Sequence, residues 1–256
     1  MLRLLRSDFY RLFRSKSLYI CALVAGLLMI GSAYMVKWGS RVSEEIVFSY
    51  KDGLSYGLMA FNGGDVHLFM AIFISIFVTA EFTYGTMKNT VSKGFSKIMI
   101  YLSKFITACV ASYFLILVMF VAGLVSGTLI TGEVGSFTGS FALHALRMVG
   151  IELLLHAALS SILVMVAMII RNGGGTMAVN IIAIVTVGPV IYQLLELFFD
   201  HRIEFTKYSL RNNVMLYNAI MAPPMEDILR SILVGICFLV VTLAIGILAF
   251  KNSDVK

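Results

Sequence analysis

Charge is what this sequence has least of. Only 13% of its 256 residues are Asp, Glu, Lys or Arg, against 59% that are hydrophobic. A soluble domain of this length is about half apolar and about a quarter charged. The shortage excludes a single soluble core, because too little polar surface remains to cover the apolar surface. Lipid is the simplest solvent for such a chain. Cysteine is scarce as well. Cys21, Cys109 and Cys237 all fall within apolar runs, and no pair has metal-ligand spacing. They read as small hydrophobes in helix packing, with neither a disulfide framework nor a zinc site suggested.

Catalytic signatures are missing too. There is no Walker A loop, so the chain does not bind ATP in the P-loop manner. There is no Gly-x-Ser-x-Gly, no His-Glu-x-x-His and no paired acidic motif of the intramembrane metalloprotease kind. The four histidines (His67, His144, His156 and His201) are dispersed. The expectation is a chain that is not itself an enzyme and holds no metal. The net charge of +6 is no sign of nucleic acid, because its cations are spread among apolar runs instead of forming one face.

What is present is six apolar runs: Leu18–Val36, Val66–Ala80 (extending to Phe82), Phe105–Ile130, Met148–Ile170, Met177–Phe199 and Leu229–Phe250. A helix needs roughly 20 apolar residues to cross a hydrocarbon core of about 30 Å. The runs predict an all-α integral membrane protein, one transmembrane domain over 1–256 with six spans. The first run reads as a retained helix, since its basic leader is long and no small-residue cleavage site closes it.

Cations set the orientation. With six spans both termini share one side. That side holds Arg3, Arg6, Arg11, Arg14, Lys16, Lys88, Lys93, Lys97, Lys104, Arg171, Lys251 and Lys256. The other side has fewer cations and most of the acids, including Glu44, Glu45, Asp52, Asp65, Glu133, Asp200, Glu204, Glu226 and Asp227. Both termini are therefore expected in the cytoplasm.

Residues 1–16 predict an amphipathic helix in the membrane interface. Leu2, Leu5, Phe9, Leu12 and Phe13 share a face about 100° wide at 100° per residue. Arg3, Arg6, Arg11 and Arg14 lie opposite, suited to anionic headgroups. Leu4 breaks the pattern.

The loop Glu81–Lys104 mixes glycines and cations with Phe82, Tyr84, Met87 and Phe95. A solvated loop has no need of these large apolar residues, whereas a short helix packed on a partner does. The segment Arg171–Gly175 reads as a tight turn and not a phosphate cradle, since no strand precedes it. The segments Lys37–Asp65 and Asp200–Arg230 lie on the outer side. Val214, Met215, Leu216 and Ile220 before Pro223-Pro224 predict short re-entrant or interfacial helices there.

Polar groups inside the spans form the second candidate site. Glu152, His156 and Ser160 share one helical face, and the fifth run carries Asn180 and Glu196. A carboxylate at the centre of a lipid-facing helix costs about 2.5–3.5 kcal/mol, so Glu152 is expected to face helices or water. Two readings stand: a transport path or proton relay, and a hydrogen-bonded pair that orders the bundle, with His156 or Arg147 as the partner of Glu152. Pro189 after Gly188 is expected to kink the fifth span.

Glu81 closing the second span, then Gly85-Thr86, Lys88, Lys97 and Lys104, resembles the permease subunits of type-2 ATP-binding-cassette (ABC) exporters. The layout is similar over nearly the whole chain. The family commonly has Arg near Lys97. The resemblance implies separate ABC ATPase subunits carrying ATP and magnesium, with no cofactor on this chain, and a second permease copy, identical or related. It implies that Glu81, Phe82, Tyr84, Gly85, Thr86, Lys88, Phe95 and Lys97 belong to an ATPase-coupling loop. Compact permeases of this size point to a bacterial cytoplasmic membrane and to export of, or immunity to, antimicrobial peptides such as lantibiotics and bacitracin. The substrate is then a peptide or amphiphile. Two alternatives remain at this point: a sensor or assembly partner that transports nothing, and an ion-coupled carrier using Glu152 and His156.

Overall fold

Hydrocarbon offers backbone amides no partner, so apolar runs of this length fold as helices. The computed structural model describes residues 1–42, 52–62, 64–135, 139–199, 204–215 and 224–253, and every regular element among them is helical. The helices are α1 (Leu2–Phe13), α2 (Lys16–Val42), α3 (Gly53–Asn62), α4 (Gly64–Thr83), α5 (Thr86–Ser92) and α6 (Lys97–Thr131). They continue as α7 (Gly139–Ile170), α8 (Gly173–Ile182), α9 (Gly188–Phe198), α10 (Leu210–Met215) and α11 (Met225–Lys251). A π-turn over Ala183–Val187 joins α8 to α9, and a 3₁₀ turn spans Phe205–Tyr208. Six segments are long and apolar enough to cross a membrane: Lys16–Gly39, Asp65–Thr83, Lys97–Thr131, Ala145–Ile170, Gly173–Phe198 and Met225–Lys251. The protein is an all-α integral membrane protein.

The helix ends follow local chemistry. Ser96 accepts the Met99 N–H at 3.3 Å and starts α6, and Gly132, at φ +80°, ends it. α6 begins eight residues before the expected Phe105, so Lys97–Lys104 is helix and the loop after the second span is shorter than expected. The cation Lys104 does not end the span because it is paired inside the protein, as described below. Asn172 accepts the Gly175 N–H at 3.0 Å and caps α8, which makes the three glycines its first turn. A Cβ on Gly173 would come within 3.2 Å of the Thr79 hydroxyl, so the glycine lets α8 close on α4.

The segment between the first two spans contains a helix of its own. α3 lies along the end of α6, with its Leu54, Tyr56, Leu58 and Ala60 buried. A Cβ on Gly53 would collide with Thr128, while the Phe61 and Phe120 rings meet at 6.2 Å. The two helices are therefore antiparallel, and α3 carries the chain inward before α4 begins. This explains why the second apolar run is the shortest. Close approach depends on two small-residue spacings, Gly53/Gly57 on α3 and Gly123/Gly127 on α6. A Cβ on Gly123 would sit 2.7 Å from the Tyr56 carbonyl, and one on Gly127 would sit 2.6 Å from the Tyr56 Cβ.

α4 is central and packs on α2, α6, α7 and α8. The fifth span is the least covered. α8 holds α4 through Asn180, whose side chain donates to Ser75 at 2.9 Å. Beyond the π-turn and Pro189 no residue of α9 is buried. Pro189 has no N–H to donate, and the wider π-turn absorbs the interruption that it makes in the ladder. Residues 216–223, which hold most of the expected re-entrant segment, lie outside the described residues, as do Glu44, Glu45, Lys51, Asp200, His201, Arg202 and Lys256.

Both termini sit on one face. Lys97 Nζ, at the start of α6, donates to the carbonyls of Lys251 at 3.0 Å and Ser253 at 2.7 Å. A cation at the end of α11 also suits the negative end of its helix dipole.

Candidate functional site

On the face that carries the termini, four charged side chains converge between α1, α4 and α6. Lys104 Nζ bonds Asp8 Oδ1 and Glu81 Oε1, each at 2.5 Å. Ser103 Oγ donates to the other Asp8 oxygen at 2.5 Å. Arg11 pairs with Glu81, donates to the Phe77 carbonyl at 3.2 Å, and stacks over the Phe77 ring at 4.2 Å. Lys104, Asp8 and Glu81 are 1%, 4% and 6% exposed, while Arg11 reaches the surface. Two carboxylates and two cations balance, which is what makes burial of the group tolerable.

This cluster changes the picture of α1. Leu4, Asp8 and Leu12 form its buried stripe, and Arg11 flanks them. Leu4, which broke the two-faced pattern, lies on the face turned to the protein. Leu2 and Phe13 are exposed, and Phe9 packs at the edge of the core. Arg3, Arg6 and Arg14 occupy the remaining exposed arc, with Arg14 over the Tyr10 ring at 4.7 Å. The helix thus has three faces: protein, apolar and basic. Arg11, expected with the other arginines, is drawn inward by Glu81. Asp8 was missed, although it is the only acid among the first sixteen residues.

Next to the cluster is α5. Gly85 precedes it at φ +67° and Gly94 follows at φ +82°, a region that costs a side chain energy. Met87 is buried and Val91 and Phe95 pack against the core, so α5 is gripped from beneath. Phe82 meets the Phe250 ring at 6.5 Å and lies under the Arg171 guanidinium at 5.5 Å. Thr86 Oγ1 donates to the Glu81 carbonyl at 3.3 Å, tying the start of α5 to the charge cluster. Tyr84 is 79% exposed, and Gly85, Thr86, Lys88 and Asn89 are exposed with it. Of the expected loop residues, Phe82, Phe95 and Lys97 face the protein, and Tyr84 and Lys88 face outward.

The polar residues inside the spans separate into three places. Glu152, His156 and Ser160 are buried within α7. His156 Nδ1 meets the Glu152 backbone carbonyl at 2.7 Å, and the Glu152 carboxylate lies at 3.5 Å, with no hydrogen-bond partner for either oxygen among the described residues. Arg147 is exposed and makes no ion pair with Glu152. Ser160 pairs with Ser112 of α6 at 2.9 Å, and Ser161 with Thr242 of α11 at 2.5 Å. The His156 ring stands 5.3 Å from that of His67, which sequence reading had left among the dispersed histidines. Asn180 belongs to the α4–α8 contact. Glu196 lies elsewhere: it accepts the Thr206 N–H at 2.6 Å and the Thr206 hydroxyl, joining α9 to the 3₁₀ turn. Among the described residues no group of three or more His, Cys, Asp or Glu side chains could hold a metal ion.

A family model described as ABC-2 family transporter protein matches residues 4–189. A comparison with curated proteins finds no match.

Proposed function

The chain belongs to the ABC-2 family of transporter proteins, the membrane permease component of an ABC transporter, and on that premise we propose that α5 is where ATP-driven motion enters it. Family membership supports a multi-pass membrane subunit, and in this reading it works with separate ABC ATPase subunits. ATP and magnesium belong to those partners in this reading, and a second permease copy completes the assembly. The termini face the cytoplasm of a bacterial cell. The cargo is a peptide or amphiphile of the antimicrobial class, expelled across or out of the bilayer. Family membership favours this reading over a sensor or an ion-coupled carrier.

The observation that carries it is the charge cluster beneath α5. α5 and the turn before it offer Tyr84, Lys88 and Asn89 to solvent while Met87, Val91 and Phe95 hold α5 to the bundle. A push on its outer side reaches Glu81 in about one helical turn, and through Lys104 and Asp8 it reaches α6 and α1 together. Closure of an ATPase dimer then moves three helices as a unit. Such a shift must be driven by differential binding of ATP to the two states.

The test is co-purification in mild detergent. A soluble ATPase should accompany the wild-type protein in stoichiometric amount. Tyr84→Ala with Lys88→Glu should lose the ATPase while the thermal unfolding of the permease stays unchanged. Retention of the ATPase and of its activity by this folded double variant refutes α5 as the docking element.

A further inference from the structure

On the face opposite the termini a pocket of about 420 Å³ lies inside the bundle, between α4, α7, α9 and α11. Its origin is the fifth span. α8 is held to α4 at Gly173 and Asn180, but the π-turn and Pro189 release α9 from the bundle, and Ala183, Ile184, Gly188 and Pro189 line the gap. The pairing of α8 with α4 gives the depth order. Ile184, with Leu159, Ile162 and Phe238, forms an apolar base nearer the middle of the membrane. Thr206, Ser209, Arg211 and Asn212 close the far end with polar groups.

Two polar groups of this pocket, His67 and Arg211, have no carboxylate partner among the described residues. His67, 2% exposed, has its Nε2 buried without a hydrogen bond among the described residues. Arg211 lies within electrostatic reach of that ring. Two other cations on this side are paired, Lys207 with Glu204 and Arg230 with Asp227 at 2.7 Å. Arg211 pairs with no carboxylate among the described residues. Glu196 of α9 accepts from Thr206 and is not among the residues that line the pocket. A buried polar group with no partner is costly, and a ligand that bonds it removes that cost.

We propose that this pocket binds a single-chain anionic amphiphile, its carboxylate or phosphate head at Arg211 and His67 and its tail among Ile162, Ile184 and Phe238. The volume falls within the range of small-molecule sites, about 300–1,000 Å³, and suits one tail, not a two-chained lipid. All of the lining residues belong to one copy of the chain. Binding stands on the pocket itself; only the step from binding to transport rests on the permease reading.

The experiment uses the full chain in nanodiscs of phosphatidylcholine, with a palmitate analogue carrying a photoactivatable diazirine in its tail. Mass spectrometry maps the adducts. Labelling should saturate, concentrate on Ala183–Gln193 and around Phe238, and be competed by lysophosphatidylglycerol but not by lysophosphatidylcholine. Arg211→Gln should weaken it about tenfold or more, the loss of a charge-assisted bond. Ile184→Trp should block it by filling the base, with thermal unfolding checking that both variants fold. Labelling that does not saturate, spreads along α2 and α11, or is unchanged in Arg211→Gln overturns the site. The ATPase co-purification above reads the permease proposal separately. Labelling without an ATPase rejects that proposal and keeps the pocket, and an ATPase without labelling does the reverse.

Discussion

Lys104 carries more of the site than any other single residue. It neutralises two carboxylates from two other helices, and removing it leaves Asp8 and Glu81 buried with only the half-buried Arg11 opposite them. Breaking a buried pair in this way costs roughly 3–5 kcal/mol. Lys104→Met should therefore lower the unfolding temperature in detergent sharply. Adding Asp8→Asn should recover part of the loss, because one uncompensated charge is removed. Additive losses in the double variant would show that the pair is not coupled. Lys97 is a smaller case. It bonds two terminal carbonyls at the surface, so Lys97→Ala should cost only about 0.3–1 kcal/mol, read as faster amide exchange in the last turn of α11. Lys97→Arg should be tolerated if a cation is all that the position needs. Sequence reading chose Glu81 and Lys104 as a loop's two ends and could not see that they touch. Contact across 23 positions is a tertiary fact, and Asp8 was hidden because an acid in a basic helix first reads as an exception.

The informative elements are α3 and the broken fifth span. α3 has too few apolar residues to cross a membrane, and its glycines look like turn formers. What makes it a packed helix is the matching small-residue spacing on α6. Gly127→Val places carbon where Tyr56 already sits, 2.6 Å from the new Cβ. Overpacking of this kind costs about 1–3 kcal/mol or more, and here it should lift α3 from α6. Limited proteolysis between the first and second spans should then quicken while the termini stay protected. Unchanged digestion would argue against the α3–α6 contact. The fifth span was expected to kink at Pro189, and the structure puts a π-turn before it that opens a lined pocket.

At the scale of the whole molecule, the twelve cations on one side predict a topology that the arrangement of helices leaves unsigned. In a cysteine-free background, a single cysteine at Lys88 and one at Glu133 should react with impermeant reagents from opposite sides of the membrane, Lys88 from within the cell. Labelling of both from one side would contradict the six-span arrangement, and Lys88 reacting from outside would invert it. The same scale decides what covers α9, whose Phe198 is 82% exposed. Among the described residues none of α9 is buried, which leaves its outer face to lipid or to another chain.

The sequence by itself determined the solvent, the class of fold and the six crossings, because burial of apolar surface in lipid depends on run length and composition alone. It also marked the loop near Glu81, where aromatics and cations mix as no solvated loop requires. Only the tertiary structure decided which polar groups meet. Asp8, Glu81 and Lys104 come from three helices, His67 and His156 from two, and α3 and α6 fit through glycines that carry no signal of their partner. Helix periodicity says which residues share a face. It does not say which face of which helix lies opposite, and that is settled by packing, where a paired charge can be buried and an absent side chain lets two backbones touch.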